Sequence, residues 1–146
     1  MFQQLLNRLM GDTPEPLPDH DARLALTALL VRLARSDGDY ARVEVAQIER
    51  IIATRYGLDG DAVTELRHDA ELFEESAPDT VRFTRAIKDA VPYEERAAVV
   101  QAAWSVVLAD GTRADEEDSL MRMVANLLGV NDRDSALARQ RAQKNT

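Results

Sequence analysis

The feature that most constrains the fold is apolar spacing. Between glycine and proline breaks, apolar residues return again and again at helical intervals. Leu26, Leu29, Leu30 and Leu33 stand at i, i+3, i+4 and i+7, which puts four side chains on one face of a helix. The helix they predict runs from about Asp21 to Ser36. Val45, Ile48, Ile51 and Ile52 repeat the pattern before Gly57, and Leu66, Ala70 and Phe73 repeat it before Ala77-Pro78. Phe83, Ala86, Ile87 and Ala90 share a face of a fourth helix. Val99, Val100, Ala103, Trp104, Val107 and Leu108 wrap around a fifth, which such wide apolarity marks as the central one. Leu120, Met123, Val124, Leu127 and Leu128 mark a sixth, and a last helix is expected from Asp132 to about Ala142. Alternating β-branched residues are scarce. The expected fold class is therefore all-α, a single-domain bundle of about seven helices.

The chain divides near residue 19. FQQLLNRLM places Phe2, Leu5, Leu6, Leu9 and Met10 on one side of a short helical stretch, and GDTPEPLPD follows as a Pro-rich linker. Residues 1–19 thus form an N-terminal amphipathic segment and linker, and residues 20–146 the helical domain. With one Arg among its apolar residues, the segment supports at most peripheral membrane contact through residues 1–10. Its better seats are the bundle itself or a second subunit, as in a homodimer. No apolar run approaches the roughly 20 residues needed to cross a bilayer. The start lacks the pattern of a signal peptide, so the cytoplasm is the expected compartment.

Charge and chemistry narrow the function classes. The net charge is −8, and no cluster of Lys and Arg stands out, which argues against nucleic acid as a partner. There are no cysteines and only two histidines, His20 and His68. Disulfides, thiolate sites and a nitrogen- or sulfur-rich zinc site are excluded on that count. A metal held by this chain would be held by oxygen, which selects calcium, magnesium or manganese. No Ser-His-Asp set, P-loop or dinucleotide fingerprint occurs, so no catalytic residue and no organic cofactor are assigned. His68 reads as a surface histidine, and Trp104 and Tyr93 as core and helix-start packing.

Two stretches share a layout. ARSDGDYARVEVAQIERII and VVLADGTRADEEDSLMRMVANLL each end an apolar helix on Asp-Gly and open the next with acids. Setting Asp37 on Asp110 aligns Gly38 with Gly111 and Glu44 with Glu117. After a one-residue deletion, Ile48, Ile52, Gly57 and Leu58 match Leu120, Val124, Gly129 and Val130. This is a weak internal duplication of a helix–Asp-Gly–helix hairpin. One reading is helix punctuation, with Gly38 ending a helix, Asp39 or Thr112 capping the next, and Asp115 to Asp118 complementing a helix dipole. Asp37 and Asp110, however, sit at the negative pole of the preceding helix. A tight turn followed by two helical turns would bring Asp37 back toward Glu44. Two carboxylates about 4 Å apart repel by roughly 4 kcal/mol at an effective dielectric of 20, and a divalent cation would relieve that. The loop is too short for an EF-hand.

The segments LVRLARSDGDYARVEVAQIERII and WSVVLADGTRADEEDSLMRMVANLLG, paired in an all-helical chain of this length, resemble the TerB-like family over roughly residues 20 to 130. These proteins are associated with tellurite resistance, and a related domain precedes the J-domain of a membrane-anchored DnaJ-like co-chaperone. The resemblance implies one domain of about seven helices and a metal site at the two Asp-Gly turns. Carried over by position, it points to Asp37 and Glu44 in the first copy and Asp110 and Glu117 in the second. Asp39 and Asp115 are further candidates from their placement. Ser36 stands where the family usually has Ala. Direct reduction of tellurite would need electrons, and the chain has neither thiols nor a cofactor motif to supply them. The expected function is a non-enzymatic interaction or stress-response module with a protein partner, binding a divalent cation at the acidic turns. The alternatives are a metal-dependent hydrolase acting on a phosphate-containing substrate, and a metal-free acidic docking domain for a basic partner.

Overall fold

The computed structural model describes residues 19–36, 38, 40–76, 79–109 and 115–144. Within its helices, the side chains of residues 19, 20, 82, 83, 86, 90 and 115–118 fall outside the described set. Among the described residues there are seven α-helices and no strand. They are α1 (Asp19–Arg35), α2 (Arg42–Tyr56), α3 (Gly60–Ser76), α4 (Thr80–Ala90), α5 (Tyr93–Val107), α6 (Asp115–Leu127) and α7 (Asp132–Lys144). The all-α bundle expected from the apolar spacing is the fold observed. The N-terminal amphipathic segment, the Ala77-Pro78 break, the Thr112 cap and the side chains of Phe83, Ala86 and Ala90 lie outside the described residues.

Local chemistry accounts for most helix ends. Asp59 accepts a hydrogen bond from the Ala62 N–H at 3.1 Å, and Asn131 accepts one from the Asp134 N–H at 2.8 Å. Each side chain thereby satisfies a donor that the first turn of α3 or α7 would otherwise leave open. Pro92 stands one residue before α5. Arg96 closes the corner before it, donating to the carbonyls of Lys88 and Val91 at 3.0 and 3.2 Å, where a cation also suits the negative end of α4. The helices α2 and α6 are followed by Gly57 and Gly129, with φ of 63° and 78°. The N–H groups of Leu58 and Val130 then reach back to Ala53 and Ala125 at 3.1 and 2.9 Å. These positions correspond in the repeat alignment. Any helix that ends on glycine uses such a cap, so the duplication still rests on the sequence alone.

The core centres on α1 rather than on α5. Every residue from Leu24 to Val31 is buried, and α1 packs against α2, α3, α4, α5 and α6. From Leu24 to Ala34 every residue of α1 but Thr27 and Arg32 is apolar, which leaves it apolar around its whole circumference; Thr27 is buried with the rest and satisfies its hydroxyl on the Arg23 carbonyl at 2.7 Å. The closest pairings are α1 with α3 and α5 with α7. In α5 the Trp104 indole N–H donates to the Ser135 hydroxyl of α7 at 3.1 Å, and the Arg139 guanidinium lies 5.0 Å from the ring centre. Among the described side chains of α6, Met121, Val124 and Ala125 are buried, as is Leu128 just after it, whereas Met123 is exposed. The inward face thus lies slightly off the one expected. Tyr93 is also exposed, with Arg96 over its ring, and it is not part of the packing at the helix start.

Candidate functional site

The first Asp-Gly turn begins where α1 runs out. The Ser36 hydroxyl donates to the Leu33 carbonyl at 2.7 Å, and the Gly38 N–H donates to Arg35 at 3.0 Å. Gly38 takes φ of 83°, a left-handed conformation that lets the chain leave the helix sharply. The next helix starts after Ala41, whose φ of −72° and ψ of 152° are extended. Asp39 is therefore not its N-cap, because Tyr40 and Ala41 intervene. Ala41 has no side-chain acceptor, so the helix is capped from within. The Glu44 Oε1 turns back and accepts the Ala41 N–H at 3.1 Å, which is the return half of a capping box.

Glu44 is fully buried, with 0 % of its surface exposed. It is neither a solvated helix residue nor remote from the turn. Its carboxylate is held at the backbone of Ala41, three residues after Gly38. It is also the one candidate of the six whose side chain can be placed. Asp37, Asp39 and Asp110 lie outside the described residues. Asp115 and Glu117 lie in the first turn of α6, with side chains outside the described set. Among the described residues no group of three or more His, Asp or Glu gathers as a metal site would.

A polar clamp fastens this turn to α3. The Tyr40 hydroxyl donates to Glu71 Oε2 at 2.7 Å, and the same carboxylate takes a hydrogen bond from Arg67 at 2.8 Å. Arg67 also donates to Glu49 of α2 at 3.2 Å. Arg35, at the end of α1, stacks 5.1 Å from the centre of the Tyr40 ring and pairs with Glu74 at 3.2 Å. Burial, reinforced by the hydrogen bond to Glu71, pushes the Tyr40 phenol far above the ordinary tyrosine range, so it stays a donor. For Arg67, burial works against the charge, but the bonds to Glu71 and Glu49 outweigh it and hold the guanidinium above its usual value. His68 is mostly exposed and only 4.0 Å from Glu71, as expected of a surface histidine.

Nothing local in the sequence announces this clamp. Tyr40 beside Asp-Gly could have flagged a tethered turn, but its partner is in another helix. A second feature was equally hidden. Along α2 and α5 runs an open groove of about 860 Å³, floored by small side chains including Ala46, Ala98, Ala102 and Ser105, with Arg50 and Arg55 also lining it.

The chain matches the family model described as Tellurite resistance protein TerB over residues 23–140. No curated protein and no solved structure matches the chain.

Proposed function

The chain belongs to the tellurite resistance protein TerB family, and from that premise we propose that it is a non-enzymatic interaction or stress-response module of the cytoplasm whose acidic Asp-Gly turns bind a divalent cation. The observation that carries this reading is the placement of Glu44. A carboxylate is costly to bury and is kept where bonding or charge compensates it. This one is buried beside the Asp-Gly turn and fixed by the Ala41 N–H. Asp37 would supply a second oxygen ligand from the end of α1, with Asp39 as an additional one. Asp110, Glu117 and Asp115 would serve likewise at the second turn. Oxygen donors of this kind suit calcium, magnesium or manganese, and water would complete the shell. The partner recognised by the loaded module is a protein.

The capping geometry favours a second reading. Glu44 already has work to do in closing the first turn of α2, so the acids could act without metal, as helix punctuation on an acidic docking surface. Calorimetric titration with each of the three cations separates the two. A cation at 100 times its dissociation constant should stabilise the fold by about 2.7 kcal/mol, and Asp37→Asn combined with Asp110→Asn should abolish that gain. If no cation raises the melting temperature, the docking reading stands instead. A gain that survives both substitutions would mean the ligands are elsewhere.

A further inference from the structure

We infer that the groove between α2 and α5 is the seat of the chain's own N-terminal segment, residues 2–10, entering with its apolar stripe down. The groove is open, and its lining mixes small and apolar side chains with polar ones such as Gln47, Thr54 and Gln101, as an amphipathic helix would meet them. Its floor of alanines lets a helix backbone approach closely, while Ile51 and the exposed Val43 offer apolar side walls. A helix docking in such a groove anchors through residues at i, i+3, i+4 and i+7. Phe2, Leu5, Leu6 and Leu9 have that spacing, and Met10 extends the row.

Direction and reach also fit. Arg55 pairs with Glu95 at 3.9 Å, so the end of α2 lies beside the start of α5 and the two helices run antiparallel. The groove follows α2 from Val43 to Arg55, a length of about 18 Å at 1.5 Å per residue. The span from Phe2 to Met10 needs only about 12 Å on the same rise. The start of α1 is close to one end of this groove, because Arg23 lies over the ring of Tyr56, 4.8 Å from its centre. Residues 11–18 reach up to about 26 Å when extended, enough to place the segment anywhere along the groove. The linker acids Asp12 and Glu15 would then pass Arg50 and Arg55, charges of the opposite sign. The proposal is independent of any metal at the Asp-Gly turns.

The absence of cysteine from the chain allows a direct test. In the full-length protein, Leu6→Cys is combined with Ala98→Cys in the groove, or with Glu65→Cys on the exposed side of α3 as a control, and dilute samples are mildly oxidised. Docking predicts an intrachain disulfide in the groove pair forming at least ten times faster than in the control. Adding Leu5→Glu and Leu9→Glu, which lie outside the helical core, should slow the groove pair to the control rate. Equal rates in the two pairs would overturn the proposal, as would rates indifferent to the two glutamates. Disulfides formed mainly between chains would overturn it too, by giving the groove to a second copy.

Discussion

Removing the Tyr40 hydroxyl tests whether the first Asp-Gly turn is held by tertiary structure. Tyr40→Phe deletes the 2.7 Å bond to Glu71 while keeping the ring under Arg35, so the aromatic packing is preserved and the hydroxyl is isolated. A hydrogen bond to a charged group contributes about 1.5–3 kcal/mol. Tyr40 is only partly buried, which puts the expectation at the lower end, about 1.5 kcal/mol. For a chain of this size that is a fall in Tm of about 3–6 °C. Glu71→Gln also weakens the bond from Arg67, so the single variants overstate the pair. A double-mutant cycle of Tyr40→Phe and Glu71→Gln, followed by urea unfolding at constant m, reads the coupling directly. The expected coupling is about 1 kcal/mol or more, as residues in one network show. Additivity within about 0.3 kcal/mol, with Tyr40→Phe itself near neutral, would refute the clamp.

The same phenol predicts an alkaline limit. Its pKa is raised above the unfolded value of 10.0, so its stabilising contribution is complete below pH 10.0 and is lost as the pH rises toward the folded value. Tyr56 is raised as well, by burial opposed by Arg55 and Arg23, and is common to both proteins, so denaturation curves above pH 10 should fall more steeply for the native chain than for Tyr40→Phe; parallel curves would contradict the assigned hydrogen bond. At Gly57 the space for a Cβ is open but φ is 63°, whereas Gly60 has both open space and no such backbone demand. Gly57→Ala should therefore cost about 1 kcal/mol from left-handed strain alone, and Gly60→Ala should be neutral or stabilise by about 0.5 kcal/mol. Thermal melts in which the two behave alike would dismiss the strain argument.

Which parts of this molecule could be read from its sequence follows from the range of the forces involved. Apolar spacing is a local code: Leu29, Leu33, Ile48, Ile52, Phe73, Val100 and Val124 lie four or fewer residues from apolar neighbours on the same face, and all are buried. Caps are equally local, and Asp59, Asn131, Gly57 and Gly129 act within a turn of their own helix ends. Rank among apolar helices is not local. The helices α1 and α5 are both apolar around most of their circumference, and only the packing of other chain segments makes α1 the more widely covered. The one-residue error in α6 has a similar cause: Met121 and Met123 are chemically equivalent in the pattern, and only packing from α1, α4, α5 and α7 selects Met121.

At the candidate site the same division applies with greater consequence. The seven-residue step from Asp37 to Glu44 suggests convergence; of that pair only Glu44 is among the described residues, buried and bonded to the Ala41 N–H. What holds the turn, however, is a bond across 31 positions, from Tyr40 to Glu71, continued through Arg67 to Glu49. Such a network couples the helix that precedes the turn, the helix that follows it and the third helix packed on both. A cation ligated by Asp37 and Glu44 would bridge two of those same elements. Its binding energy would then add to that of the clamp only if the two are mechanically separate; if the clamp pre-positions the turn, Tyr40→Phe must weaken cation affinity by ordering cost alone, with no ligand removed. Preorganisation of this kind acts through the entropy of the free turn, and Tyr40, which is no ligand, would then share in setting the affinity of any cation held there.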